Sequence, residues 1–249
     1  MQVLSCLSST NHVIAGPMVV PLVVLVLLLA LLLLVSRLVW ICPAVRSQKP
    51  TKRQKDETCS LGVFLGSGGH TGEMKILLSS LDLERYKPRR YVVCHGDQLS
   101  LVAIANVEGT QPETQTSDYT ILSLPRARRV GQPLLSTAMS TFKTILVALW
   151  HTFLLPLLQR PEEPWVDLLL VNGPGTCVVL VLVTYIRRFL GLSASRIIYV
   201  ESFARVNSLS LSGKLLRPWV DTFVVQWPDA AGKGAAGLSG RVRHRGWLV

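Results

Sequence analysis

The chain has 249 residues, enough for one α/β domain of ordinary size and an additional segment. Hydrophobic residues make up 49% of it and the mean hydropathy is +0.39, which is high for a soluble protein. The formal net charge of +11 favours anionic partners, namely nucleic acid, an anionic lipid surface or phosphorylated substrates, without choosing among them. The five cysteines form no CxxC pair and no Cys/His cluster at zinc spacing, which argues against a zinc site and a disulfide framework.

An apolar segment near the N-terminus is the first recognisable element. Residues 18–35 carry no charge, and the apolar run continues to residue 42 with Arg37 near its end. Because about 20 helical residues span a hydrocarbon core of roughly 30 Å, the segment 18–42 is predicted to be a transmembrane helix. A cleaved signal peptide is the alternative. It is disfavoured because residues 1–17 contain no Lys or Arg and the run is longer than a usual signal.

The charges that flank this segment predict its orientation. Lys and Arg recur between residues 37 and 55, whereas residues 1–17 contain neither. The positive-inside rule therefore places residues 1–17 in a lumen and everything after about residue 43 in the cytosol. Residues 43–57 are predicted to form a basic linker that lies near anionic head groups.

Apolar runs and helical patterns alternate after the linker. The predicted strands are 61–65, 91–94, 120–124, 167–171, 196–200 and 222–225. The predicted helices are 71–81, 134–158 and 176–190. This alternation is typical of a doubly wound, Rossmann-like parallel sheet, and we assign it to residues 58–228. The apolar stretches 144–158 and 177–186 are interpreted as buried or interfacial helices rather than membrane spans, with membrane contact by one face of 144–158 left open.

A glycine-rich turn follows the first predicted strand and precedes a helix, with the sequence GSGGHTG over residues 66–72. Such a turn exposes backbone N–H groups, and the helix N-terminus adds partial positive charge, so the segment is predicted to bind phosphate. It matches neither GxGxxG nor the Walker A pattern, and a glycine turn without a ligand is the alternative. His70 is a candidate general base or phosphate donor, or a structural residue.

Three further segments follow predicted strands and carry candidate site residues. The turn NGPG at 172–175 is predicted to lie at the same sheet edge, where ligands bind in open α/β sheets. Glu201 and Arg205 either pair with each other or contact substrate. Arg126 belongs to a basic loop that faces a diphosphate, lipid head groups or solvent.

Five motifs in order carry a family resemblance, namely GSGGHT, LPRARxVGQ, VNGPGTC, YVES(x)4NSLSLSGKLL and QWP, within about residues 61–228. Behind one N-terminal anchor, they resemble the membrane-anchor subunit of the dolichyl-diphosphate N-acetylglucosamine transferase of asparagine-linked glycosylation. This family is similar to the N-terminal half of bacterial MurG, a GT-B glycosyltransferase. In MurG the glycine-rich loop faces the diphosphate of the lipid-linked acceptor, and the other half binds the UDP-sugar.

The resemblance implies roles for individual residues. His70 and Glu201 are the expected catalytic residues. The residues expected to bind the acceptor diphosphate are Gly66, Ser67, Gly68, Gly69, Thr71, Asn172, Gly173, Pro174, Gly175, Arg126 and Arg205. No metal and no cofactor are expected in this half of the enzyme.

The resemblance also implies a function shared with a partner. We expect an acceptor-binding anchor that recruits a soluble catalytic, UDP-GlcNAc-binding subunit to the cytosolic face of the endoplasmic reticulum. The pair would add the second GlcNAc to GlcNAc-diphosphodolichol, and the chain would be inactive alone because no second Rossmann-like domain is recognisable. The GlcNAc-phosphate transferase of the preceding step is a further expected partner, and nucleic acid is not.

Two alternative functions are disfavoured. The first, a complete enzyme that acts alone, is disfavoured because no nucleotide-sugar domain is recognisable in the sequence. A membrane-tethered adaptor that binds anionic lipid or RNA would not need ordered glycine turns. Residues 229–249 are Gly/Ala-rich and basic, and they are expected to form a divergent, disordered tail, which leaves partner docking open.

Overall fold

The structure is a computed structural model. It describes residues 16–45, 54, 57–109, 118–128, 131–173, 175–231, 242–244, 246 and 248. The chain divides into two compact units, Met1–Trp40 and Ile41–Val249. Residues 1–15 of the predicted N-terminal segment 1–17 and most of the predicted linker 43–57 lie outside the described residues.

The first unit contains one long helix, α1 (Gly16–Ile41). Its stretch Val19–Ile41 has 23 residues and a mean hydropathy of 3.3, and the apolar side chains from Val19 to Val35 are exposed on all sides of the helix. Towards its end the guanidinium of Arg37 stacks over the Trp40 ring at 5.0 Å, a pairing suited to the head-group level. One N-terminal apolar helix therefore fits a single-pass membrane anchor, as the sequence predicted.

The second unit is a seven-stranded, fully parallel sheet with helices between its strands. The strands are β1 (Leu61–Phe64), β2 (Arg89–Cys94), β3 (Tyr119–Leu124), β4 (Leu168–Asn172), β5 (Arg196–Val200), β6 (Thr222–Val225) and β7 (Val242–His244). The helices are α2 (Gly69–Ser79), α3 (Gln98–Glu108), α4 (Leu134–Leu149), α5 (Leu155–Gln159), α6 (Gly175–Phe189) and α7 (Leu211–Leu216). The predicted Rossmann-like fold and all six predicted strands are confirmed.

The strand order fixes where loops from different parts of the chain meet. The sheet runs β3-β2-β1-β4-β5-β6-β7, so the chain moves outward from β1 and then returns to the other side of β1 with β4. β1 and β4 are hydrogen-bonded neighbours, with Phe64 paired to Val171. The loops that follow these two strands therefore begin side by side at the topological switch point of the sheet, where α/β folds bind ligands.

The burial of these strands in the core explains why their sequences are nearly continuous apolar runs. Leu61, Val63 and Leu65 are fully buried, and Met74 and Leu78 of α2 pack against them. The apolar residues of α2, spaced four apart in the chain, therefore lie on the face that covers β1.

The predicted helix at 134–158 is present but interrupted. A π-helical turn, Trp150–Leu154, separates α4 from α5. Pro156 follows it and has no N–H to donate to the carbonyl four residues earlier, which favours a widened turn at this point.

By length and composition, Leu135–Gln159 also passes as a membrane-spanning segment. Side-chain hydrogen bonds nevertheless attach α4 to the sheet, since Ser140 and Thr141 donate to the carbonyl of Ala127 and Thr144 donates to that of Pro125. We therefore assign this stretch to the α/β domain.

The tail corrects one expectation. Val242–His244 form β7, which pairs in parallel with β6, and the Leu248 N–H donates to Gln226 Oε1 at 3.2 Å. The prediction of a disordered tail is wrong for these residues, because the exposed edge of β6 offers backbone groups that the tail pairs with.

Candidate functional site

The glycine-rich turn after β1 is open at its tip. Gly68 has a φ of 68° and caps α2, and both Gly68 and Gly69 are exposed, whereas Gly66 is buried and Ser67 half-buried. A Cβ built on Gly68 or Gly69 would meet no atom within 4 Å. Gly68 has no side chain to cap the first turn of α2, in which the Thr71 N–H donates to the Gly68 carbonyl. The exposed backbone of Gly68 and Gly69 therefore lies at the partially positive end of the helix.

His70 lies where the turns after β1 and β4 meet. Its Nδ1 is 2.8 Å from Oδ1 of Asn172, the last residue of β4. The next residue, Gly173, has a φ of 106°, and a Cβ there would lie 2.8 Å from Cγ of the imidazole. Only glycine allows the backbone to pass this close to the ring. The two predicted turns are therefore brought together around one side chain.

Glu73 joins a third loop to the other two, and sequence reasoning missed it. Asn172 Nδ2 donates to Glu73 Oε2 at 2.6 Å. The other carboxylate oxygen, Oε1, accepts from the Ser202 hydroxyl at 2.7 Å and from the Phe203 N–H at 3.1 Å. The loops after β1, β4 and β5 are thus connected by one chain of hydrogen bonds that runs from His70 to Phe203.

Glu201 has a different environment from the one predicted. Its carboxylate is buried and accepts from the backbone N–H groups of Ser202 and Ser210 and from the Ser210 hydroxyl. Gly213 makes room for it, since a Cβ there would lie 2.1 Å from Glu201 Oε2. This carboxylate organises the loop between β5 and α7, and Arg205 in that loop is exposed. The geometry gives Glu201 a structural role and no open face towards a substrate.

Three other predicted residues differ in their surroundings. Thr71 is buried, its hydroxyl is 2.7 Å from the Ser100 hydroxyl, and its N–H donates to the Gly68 carbonyl, so it packs α2 against α3 rather than facing an anion. Pro174 lies outside the described residues. Gly175 is exposed at the first turn of α6.

Arg126 lines a basic cavity of about 510 Å³ beside these turns. The cavity lining comprises His95, Pro125, Arg126, Gly131, Gln132, Ser140 and Lys143. The loop that carries Arg126 contacts the start of α6, because the N–H of Ala127 donates to Thr176 Oγ1 at 3.2 Å. His95 and Lys143 were not predicted, since their side chains reach this loop only through the pairing of β2 with β3 and the packing of α4.

The fold and the site define a Rossmann-like α/β domain with two glycine turns, a histidine and a basic cavity at the carboxyl edge of its sheet. Among the described residues, no three His, Cys, Asp or Glu side chains group as metal ligands would. A protein of this class is suited to bind a phosphorylated ligand through backbone amides and cationic side chains.

The family follows from comparison with known sequences. A family model described as "Oligosaccharide biosynthesis protein Alg14 like" matches residues 61–240. A protein of Cryptococcus neoformans named UDP-N-acetylglucosamine transferase subunit ALG14 is 59% identical over 217 residues, covering 87% of this chain and 91% of that one. Proteins of the same name from Schizosaccharomyces pombe and Rattus norvegicus are 44% and 39% identical, covering 76% and 78% of this chain and 84% and 86% of theirs. The chain belongs to the Alg14 family.

A solved structure is also similar. It is titled a UDP-N-acetylglucosamine 2-epimerase from Listeria monocytogenes, with a TM-score of 0.49 and 14% sequence identity over 74% of this chain and 44% of that one.

Proposed function

We propose that the chain is the membrane-anchoring, acceptor-binding subunit of a UDP-GlcNAc transferase that adds the second GlcNAc to GlcNAc-diphosphodolichol. The observation that carries the proposal is the open glycine turn at the switch point of the sheet, with His70 beside it. Membership of a family whose curated relatives are named as subunits of such a transferase supports it.

The diphosphate of the acceptor binds at the exposed backbone of Gly68 and Gly69. Backbone N–H groups at a helix N-terminus bind phosphate because they combine hydrogen-bond donors with the positive end of the helix dipole. Arg126 and Lys143 of the adjacent cavity, together with Arg205 on the loop after β5, add positive charge around the bound diphosphate.

His70 acts as the general base of the transfer. A general base must reach the acceptor hydroxyl, and His70 is half-buried at the edge of the open turn, next to the place proposed for the diphosphate. Glu201 does not share this role, since its oxygens are occupied by donors of its own loop.

The proposed reaction requires partner proteins and a membrane. We propose that a separate soluble subunit binds UDP-GlcNAc and completes the active site, and that the enzyme of the preceding GlcNAc-phosphate transfer assembles with the pair. We propose that α1 anchors the chain in the endoplasmic reticulum with the N-terminus in the lumen and the acceptor site in the cytosol, and the basic residues after the helix support this orientation.

Affinity capture of the full chain from detergent-solubilised membranes tests this proposal, followed by assay of GlcNAc transfer to GlcNAc-diphosphodolichol. The captured complex should transfer GlcNAc, and the purified chain alone should not. Strong activity of the isolated chain would contradict the proposal that a separate subunit completes the active site. An inactive complex would contradict the proposed transferase function.

A matched pair of variants tests the phosphate-binding turn. Gly69→Val fills the open space at the tip without a clash in the free protein, since nothing lies within 4 Å of a Cβ there. Transfer by its complex should therefore be lost while membrane insertion and partner capture persist. Gly72→Val, three residues further along the same helix and equally open, serves as the control and should retain activity. Full activity of both variants would contradict the phosphate-binding role of the turn and would favour the adaptor hypothesis.

A further inference from the structure

The hydrogen bonds around Asn172 determine which of its side-chain atoms faces which neighbour. Both oxygens of Glu73 are occupied by donors, with Oε1 accepting from Ser202 and Phe203 and Oε2 facing Asn172. A carboxylate has acceptors only, so the Asn172 atom 2.6 Å from Oε2 is the amide nitrogen. Asn172 is fully buried, which leaves water no access to replace these partners.

This orientation fixes the proton on His70. With the nitrogen of Asn172 turned towards Glu73, the amide oxygen faces His70 Nδ1 at 2.8 Å. An amide oxygen only accepts hydrogen bonds, so Nδ1 of His70 must carry the proton. In the neutral ring the lone pair then belongs to Nε2, the nitrogen on the opposite side from Asn172.

We propose that Glu73 is a positioning residue which acts through Asn172 to hold His70 in the tautomer with its proton on Nδ1. This inference rests on the proposed function for its chemical meaning. In the transfer, Nε2 takes the proton of the acceptor hydroxyl while the hydroxyl oxygen forms its bond to the anomeric carbon and UDP leaves with the electrons of the broken bond. The resulting imidazolium is stabilised by the bond from Nδ1–H to Asn172, and Nε2 later releases its proton to solvent.

Replacing Glu73 with glutamine reverses the direction of the hydrogen bonds at Asn172 and His70 without changing the size of the side chain. The amide oxygen of the new residue takes the place that accepts from Ser202 and Phe203, so its NH₂ group faces Asn172. The amide of Asn172 must then rotate to present its oxygen to that group and its own NH₂ to His70. Nδ1 becomes the acceptor, the ring proton moves to Nε2, and the base is lost.

Nitrogen-15 NMR of the full chain with labelled histidine, reconstituted in lipid bilayers at mildly alkaline pH, reads the tautomer directly. The chain has five histidines, and the His70 signals are those that disappear in a His70→Ala sample. We expect a protonated Nδ1 and an unprotonated Nε2 in the unaltered chain, and the reverse in Glu73→Gln. Turnover of the Glu73→Gln complex should fall by about 10²-fold or more, the usual contribution of a general base.

Two control variants separate positioning from simple support of the fold. Glu84→Gln makes the same carboxylate-to-amide exchange at a side chain that is 84% exposed and pairs with Lys87, and it should change neither tautomer nor turnover. Ser202→Ala removes one donor to Glu73 but keeps the carboxylate, so the tautomer should stay as it is. A purely structural role of Glu73 would instead give similar losses of turnover in Ser202→Ala and Glu73→Gln, with no exchange of tautomer in either.

The proposal is overturned by a proton on Nε2 of His70 in the unaltered chain, and equally by an unchanged tautomer in Glu73→Gln. The first measurement requires no variant of Glu73, only the His70→Ala sample that assigns the signals, so it decides the question even where Glu73→Gln does not fold. An unaltered complex that fails to glycosylate the lipid acceptor refutes the proposed function, while the tautomer is still decided by the spectra.

Discussion

Gly173→Ala should damage the site through the close approach of the β4 turn to His70. The added Cβ would lie 2.8 Å from Cγ of the imidazole, whereas ordinary contacts begin at 3.4 Å, so the ring has to retreat by about 0.6 Å. Such a shift lengthens the 2.8 Å bond to Asn172 to the limit of a hydrogen bond. The φ of 106° adds about 1–3 kcal/mol of backbone strain for a residue with a side chain.

Thermal unfolding of the purified full chain and the turnover of its complex measure these two effects. Since 1 kcal/mol corresponds to about 2–4 °C for a domain of this size, we expect Tm to fall by several degrees. Turnover should fall by about 10–10²-fold, because displacements of this order at a catalytic group are costly. The matched control is Gly72→Ala, where the added methyl meets nothing within 4 Å and the gain in helix propensity stabilises by about 0.5–1 kcal/mol. If Gly173→Ala is as stable and as active as Gly72→Ala, the close approach of the turn to His70 is refuted.

Three further substitutions have distinct expected outcomes. His70→Ala should lower kcat by about 10²–10⁴-fold with partner capture intact, and unchanged kcat would show that the ring merely packs. Glu201→Ala should lower the free energy of unfolding by about 1–3 kcal/mol, since the buried N–H of Ser202 and the half-buried N–H of Ser210 lose their acceptor, and unchanged thermal stability would contradict this structural role. Glu108→Ala should lower the free energy of unfolding by about 3–5 kcal/mol, because the buried guanidinium of Arg89 loses the carboxylate to which it is bonded at 2.6 Å. A Tm like that of the unaltered chain would refute this.

The sheet could be predicted because its strands are buried on both faces. Such strands appear in the sequence as short apolar runs, and the glycine turns after the runs at 61–65 and 167–171 mark where two of them end. The position of both glycine turns at one sheet edge followed from the same reasoning, since the loops that follow parallel strands lie at the same edge. Only the neighbour relations, such as β1 beside β4, required the structure.

Three elements were not predicted, namely α3, the short helix α7 and β7, and the signals for α3 and β7 are weak or non-local. α3 begins after Asp97, whose carboxylate accepts from the Ser100 N–H at 3.2 Å, a capping pattern that was present in the sequence but was not used. β7 has only three residues within a Gly/Ala-rich, basic tail, and it is a strand because the edge of β6 is available for pairing. No local pattern in the tail predicts that partner.

The site shows the same division between local and long-range information. The turn and His70 were predicted because glycines and a histidine at a strand-to-helix junction are visible in one short segment. Glu73 was not, since a glutamate in the first turns of a helix ordinarily faces solvent.

Glu73 gains its importance from Asn172 and Ser202, which lie 99 and 129 residues further along the chain. The parallel order of β1, β4 and β5 brings their carboxyl ends to one side of α2, where a single carboxylate can accept from both neighbouring loops. The topology that forms the open turn proposed to bind the diphosphate therefore also brings Glu73 of α2 to the amide of Asn172, which in turn contacts the ring of His70.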